Sequence, residues 1–318
     1  MYSPLSVISS VTVPASPDIR LLRVSCNGEA IFTNTYHLSD EFNVYGIDDV
    51  VRQYMLDNSL VSASVTIEIK GGDDSVISHD VICTDRRFAG GSEWFGSSFL
   101  IDCNYLEIPF IDFGDATPGV GVATNKPGTC SISTYTADAV VNRAVDVPAG
   151  VSVISVPVPE TLPAMVAIIY DGRTAYMSFL PAISSYNRVI LRWKNSFNVP
   201  VVDSFPAKIT ENPPKMENPV SVGNTLRGIG IAEAEDFTLE ISEITFDRAK
   251  ALLKLAESPE VELLTLDPVR FSTDMIDVPL TYKSRRIVIK NIDGNISDSR
   301  TEMPSLSITF EYADNTYS

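Results

Sequence analysis

The chain has 318 residues, 41 of them acidic and 24 basic, for a net charge of −17 and an isoelectric point near 4.5. So acidic a surface repels phosphate backbones and anionic lipid headgroups, which argues against nucleic acid and membrane surfaces as partners unless the few cations cluster. They gather only at Arg86–Arg87 and at Lys283, Arg285 and Arg286, groupings more often found in solvated loops than at phosphate sites.

Chains of this length usually form two domains and bury roughly 75% of the unfolded surface. Residues 1–16 contain neither the basic n-region nor the continuous apolar run of a secretory signal. The longest apolar stretch, 162–170, is far short of the ~20 residues a membrane helix needs. A cytoplasmic site of synthesis follows by default.

Segments 5–13 and 20–25 are rich in Val, Ile, Leu and Ser, and Asn27-Gly28 is a two-residue hairpin signal, so 21–25 should pair antiparallel with 30–35. The period then changes. Ile47, Val50, Val51, Tyr54 and Met55 predict an amphipathic helix over about 47–57, with Asp48 and Asp49 in the first turn where the helix dipole favours negative charge. Val61, Ala63, Val65, Ile67 and Ile69 alternate with polar residues up to a turn at 71–74, which contains Asp73-Asp74, and 75–84 returns as the hairpin partner. This strand–helix–strand order matches that of the last segment and suggests a duplication, although no residue-level repeat is present.

Between 85 and 136 no period is sustained. Short strands are expected at 99–101 and 105–111, and 114–128 reads as an exposed loop. Strands follow at 151–158, 165–171, 174–180 and 189–193, with Asp171-Gly172 as a hairpin turn. Short strands at close spacing with Gly and Pro turns argue a β-sandwich. Five prolines between 198 and 219 predict a stiff crossover free of regular structure.

In the last segment Thr245 can cap a helix over about 246–257 that carries Ala249, Leu252, Leu253 and Ala256 on one stripe and stops at Ser258-Pro259. Leu306, Ile308, Phe310 and Tyr312 alternate with polar residues, giving a strand whose apolar face needs covering, and the helix stripe is the candidate cover. The predicted fold is mainly β (α+β): antiparallel sheets with a β-sandwich and two short helices. The expected division is 1–198, a crossover at 199–220, and a C-terminal domain at 221–318.

Chemical motifs fail on inspection. Gly119-Val120-Gly121 begins a dinucleotide loop, but Thr124 occupies the third glycine position and no helix follows, so a flexible surface loop is expected. Gly90 and Ser92 begin a nucleophile elbow that breaks at Trp94. His37 and His79 have no nucleophile in recognisable context. Cys26, Cys83, Cys103 and Cys130 form no CxxC pair and read as free thiols. Asp293, Asn295 and Ser297 alternate like a calcium loop, but Asp298 and Pro304 replace its glycine and glutamate, so Asp293-Gly294 is read as a hairpin turn. The residues therefore predict no catalytic set, no cofactor and no metal. The aromatic group Trp94, Phe95 and Phe99 would either stack on a sugar or anchor a protein partner, or plug the core beneath a long loop.

Several stretches resemble virion structural proteins of tailed phages and prophages of Bacteroidetes. They are the DDVVRQYML helix from Asp48, Phe99-Leu100-Ile101 followed by Tyr105-Leu106, Trp193-Lys194-Asn195-Ser196-Phe197, and ALLKLAESPEVELL from Ala251 followed by LSITFEYA from Leu306. Asn198-Val199-Pro200 departs from the pattern, where a continuing aromatic turn is expected. The resemblance implies a non-enzymatic tail or baseplate component similar to distal tail proteins, which form rings around the tail tube through a sheet-and-helix hub, often with a peripheral β-sandwich. It implies copies of itself in a cyclic oligomer and other tail proteins as partners, and a place in the virion tail after synthesis in the host bacterial cytoplasm. Trp193 and Phe197 join Trp94, Phe95 and Phe99 as candidate interface residues. The alternatives are a glycan- or receptor-binding β-sandwich with Trp94 as stacking platform, and a glycan hydrolase using two carboxylates.

Overall fold

The structure is a computed structural model that describes residues 2–16, 18–37, 40–72, 74–84, 98–102, 105–108, 117–181, 188–212, 219–222, 225–228, 236–266, 282–296 and 303–313. The described chain is mainly β, with antiparallel sheets and two α-helices, as the residue pattern predicts. No helix among the described residues is long and apolar enough to cross a membrane.

The first unit contains β1 (Tyr2–Pro4), β2 (Ser10–Val13), β3 (Arg20–Cys26), β4 (Glu29–Tyr36), β5 (Phe42–Tyr45), α1 (Ile47–Asp57), β6 (Ser62–Lys70) and β7 (Ser75–Ile82). Its five-stranded sheet runs β1-β7-β6-β3-β4. Asn27 and Gly28 both take positive φ, as the hairpin between β3 and β4 requires. Leu5–Ile8 forms a 3-10 turn that buries Leu5 and Ile8. Ile47, Val51, Met55 and Leu56 of α1 are buried in one core with Leu22, Val24, Val65 and Ile67 of the sheet. Each such side chain is worth about 1.5–3 kcal/mol on burial.

The second unit is sandwich-like. One sheet runs β13-β10-β8 and the other β12-β11-β14-β15-β9, from β8 (Ser98–Leu100), β9 (Tyr105–Ile108), β10 (Gly119–Thr124), β11 (Gly128–Tyr135), β12 (Val140–Val147), β13 (Gly150–Ser155), β14 (Ala164–Tyr170) and β15 (Arg173–Pro181). Their inward residues share one core that includes Val120, Val122, Ile132, Ile168 and Phe179. The exposed loop expected at 114–128 is corrected here: Gly119–Thr124 is a strand buried at every position. A Cβ added at Gly121 would lie 2.8 Å from the Leu100 Cβ and 2.9 Å from the Val199 Cγ2. The glycine permits close packing and does not mark a flexible loop.

The third unit is a closed barrel in the order β16-β17-β20-β23-β22-β21. Its strands are β16 (Arg188–Lys194), β17 (Pro200–Asn212), β20 (Asp236–Ile241), β21 (Val261–Leu266), β22 (Tyr282–Asn295) and β23 (Ser305–Tyr312), and β18 (Pro219–Val222) and β19 (Thr225–Gly228) form a separate hairpin. Two expectations are corrected. The proline-rich stretch holds a 13-residue strand, β17. Pro200 opens it, and Pro206 stands where β17 stops pairing with β16 and starts pairing with β20, so the missing N–H falls at the change of partner. Asp293 and Gly294 are not a turn but lie inside β22, opposite Ser307 and Leu306. Because β16 pairs with both β17 and β21, barrel pairing runs across the stretch expected to divide the domains.

Helix α2 (Phe246–Leu253) starts at Thr245, whose Oγ1 accepts the Arg248 N–H at 3.4 Å, and continues as a 3-10 turn over Lys254–Glu257. That tighter last turn shifts the buried stripe to Ala249, Leu252 and Leu255 and leaves Leu253 exposed. The stripe shares its core with Leu306, Ile308 and Phe310, the apolar face of β23 that required a cover.

Candidate functional site

The expected interface aromatics do not form one site. Trp193 and Phe197 are 4% and 6% exposed and belong to the barrel core and to a separate cluster with Ile82, Leu100, Ala123 and Val199. Their rings face the interior and offer no surface to a partner. Phe99 is half-buried against the sandwich core. Trp94 and Phe95, like Arg86, Arg87 and Cys103, lie outside the described residues.

Phe197 nevertheless marks the centre of the molecule. The β16–β17 turn is held by Asn195, whose Oδ1 accepts the N–H groups of Phe197 (2.9 Å) and Val199 (3.0 Å). Asn198 takes φ +61°, a conformation asparagine tolerates better than most residues. Its Nδ2 donates to the carbonyls of Met55 (3.3 Å) and Leu60 (3.0 Å) at the end of α1. The backbone N–H and hydroxyl of Ser196 donate to Asp102 at 2.9 and 2.8 Å, and Lys254 pairs with the same carboxylate at 3.3 Å. The turn therefore ties together all three units. The departure from the resemblance at Asn198-Val199-Pro200 lies in this knot.

A second buried polar group fastens α2 to the barrel wall. Arg248 and Asp203 are 1% and 2% exposed. The Arg248 Nε and Nη2 reach Asp203 Oδ2 at 2.9 and 2.8 Å, Nη2 also donates to the Ser204 carbonyl at 2.6 Å, and the guanidinium lies 4.5 Å from the Phe205 ring centroid. Charge, hydrogen bonds and ring face are all used internally.

A groove of about 600 Å³ opens on the barrel beside Pro206, Lys208, Glu240, Glu243, Asp293 and Gly294. Lys208, Glu240, Ser307 and Asp293 form one cross-strand row. Its carboxylates are exposed to water, whereas a catalytic acid needs burial or a close partner to hold its proton near neutral pH. Among the described residues no three His, Cys, Asp or Glu side chains are grouped to hold a metal. His37 is exposed and His79 is half-buried on β7. Burial pushes the thiols of Cys26 and Cys83 from an ordinary 9.0 up to about 11, which removes thiolate character at neutral pH.

The outer sheet faces differ in charge. That of the first unit carries Arg23, Glu68 and Lys70, with Arg23–Glu68 at 3.9 Å and Lys70–Glu68 at 3.6 Å. That of the barrel carries an Arg192–Glu262 pair and Lys290, held between Asp236 (2.6 Å) and Glu311 (3.0 Å). Across β12, β11, β14 and β15 three outward rows, beginning with Val140, Tyr135, Met165 and Ser178 and ending with Ile169 and Thr174, hold no charged side chain. At the edge of this face lies β12, exposed from Val140 to Ala144, with Val140 and Val141 at 56% and 60% exposure. No described strand pairs with its outer side.

Sequence reasoning missed this edge because an edge strand and an inner strand of period 2 look alike until pairing order is known. It also missed the Asp203–Arg248 pair. The signal was present: a lone acid in Val201-Val202-Asp203-Ser204-Phe205, and a lone arginine four and seven residues before Leu252 and Leu255. No protein-family model matches the chain, and no curated protein matches it in sequence.

Proposed function

We propose that the chain is a non-enzymatic structural component of a phage tail or baseplate, assembling with its own copies and other tail proteins into a ring around or at the end of the tail tube. The family part of this reading rests on the resemblance of the segments around Asp48, Trp193, Ala251 and Leu306. The observation that carries the assembly part is β12: an eight-residue edge without proline, with no described strand on its outer side and with Arg143 as the one charge in its exposed half, Val140 to Ala144. Soluble proteins normally blunt such edges, because an open ladder recruits another strand. Pairing with another subunit of the assembly would give this edge a partner.

Mass spectrometry of purified phage or prophage particles from the producing bacterium tests the reading. The chain should be present in many copies per particle and co-purify with tail components after the capsid is removed. Its absence from particles, with all tail proteins accounted for, would overturn the reading.

A further inference from the structure

Nine of the ten described edge strands are too short, too irregular or too much used internally to act as a ladder for another chain, β18 and β19 among them with four residues each. Strands β1, β8 and β9 have three or four residues. The β3–β4 pairing carries a register shift at Val24/Ser25, and Glu29 at the start of β4 accepts the Tyr54 hydroxyl at 2.8 Å. The Ser155 carbonyl of β13 accepts Arg143 Nη2 at 2.8 Å, and β2 and β5 have four residues each in a separate ribbon. Strand β12 differs: its ladder with β11 is regular over eight consecutive pairs, Gly128–Val147 to Tyr135–Val140.

We propose that the outer edge of β12 pairs antiparallel with β12 of a second copy about a two-fold axis at Ala144. An open edge is satisfied by an extended backbone, so the occupant is a strand. Charge then selects the copy and the register. Opposed residues in a ladder point to the same face, so a two-fold axis between identical strands must pass through a residue and not between two. An axis at Arg143 sets two guanidinium groups against each other. An axis at Asn142 or Val145 pairs only five residues of the strand. The axis at Ala144 pairs seven, Val141 to Val147, with Arg143 opposite Val145 and Asp146 opposite Asn142, so no like charges are directly opposed, and the two Arg143 side chains stand diagonally across the axis. The Asn142 amide then donates to an Asp146 carboxylate that already accepts Thr129 Oγ1 at 3.0 Å. Of the three uncharged rows, that of Ala144 continues into its own copy, and the Asn142 row meets the row of Asp146, where this bond forms. The contact is isologous and closes at two copies, so it goes beyond the ring reading and rests on it only in taking this edge as an assembly surface.

Cysteine cross-linking of the full chain in a Cys103→Ser background tests the pairing. Directly opposed Cα atoms stand about 4.5–5.5 Å apart, within disulfide reach. Ala144→Cys, at an exposed position, should form a disulfide dimer on mild oxidation. Asn142→Cys should remain monomeric, because its copy lies about 13 Å along the ladder, and a mixture of Asn142→Cys with Asp146→Cys should cross-link. Equal cross-linking of Ala144→Cys and Asn142→Cys, or no cross-link in either, overturns the proposal, as does sedimentation of the unmodified chain as a monomer at the highest soluble concentration. Particle composition is scored separately, so the tail reading and the pairing can each fail without the other.

Discussion

Two kinds of buried polar residue set the sensitivity of this chain to single substitutions. Asp203 and Arg248 are individually conspicuous in the sequence as charges in apolar settings, but 45 residues separate them, and only closure of the barrel brings them together. Asp203→Ala leaves the guanidinium buried without its counter-charge, which ordinarily costs about 3–5 kcal/mol. Urea unfolding of the variant should show a loss of that size, whereas Asp203→Leu combined with Arg248→Met should recover most of it, since replacing both partners removes the uncompensated charge. The cysteines were legible as small buried hydrophobes, and Cys26, Cys83 and Cys130 are buried free thiols. Burial raises their folded-state pKa, Cys26 and Cys83 to about 11 from an ordinary 9.0. The neutral thiol is the form that folding favours, so this contribution is complete below pH 9 and is lost as pH rises from 9 through 11. The urea midpoint should fall across that window, and more shallowly in Cys83→Ala; a slope equal to wild type would show that the thiol plays no part.

At the scale of elements, periodicity revealed those with one wet face and missed those with none. Helix α1 and the strands β3 and β6 each turn one face to the core and one to water, and their sequences show it. Strand β10 is buried on both sides, so its residues show no alternation, and its two glycines imitate a loop. The same limit hid β17, because Pro206 is compatible with a strand only at the point where partners change, which no local rule reveals. Gly121 is the decisive residue of β10. Gly121→Ala puts a methyl against Leu100 and Val199 at under 3 Å, and overpacking of this kind costs about 1–3 kcal/mol. Its denaturant midpoint should drop accordingly with an unchanged slope. An increase in stability would mean that the strand is free to shift away from these neighbours.

The three units behave as one body if their contacts are as continuous as the cores imply. Ile190, Val202 and Leu264 belong to barrel strands yet lie in the sandwich core, so the second and third units share apolar burial. The first unit is joined through the cluster of Ile82, Leu100, Ala123, Phe197 and Val199 and through the Asn198 bonds to Met55 and Leu60. One ion pair and one hydrogen bond reinforce this link: Arg52 meets Glu257 at 3.0 Å, and Lys194, paired with Glu260 of its own unit at 3.7 Å, donates from Nζ to Ser59 Oγ at 2.6 Å. These last contacts are exposed or partly exposed, and pairs of that kind contribute about 1 kcal/mol or less. Phe197 is therefore the main fastening of the first unit, and its truncation should cost about 3–5 kcal/mol. The loss should fall on coupling as much as on total stability, because Phe197 stands between cores and not within one. Calorimetry of wild type should give a single transition with equal calorimetric and van't Hoff enthalpies. Phe197→Ala should split it, the lower-temperature component belonging to the first unit and detectable as early loss of hydrogen-exchange protection in β3, β6 and β7. A single transition shifted down as a whole would mean that the Arg52 and Lys194 contacts and the Asn198 bonds carry the coupling without the ring.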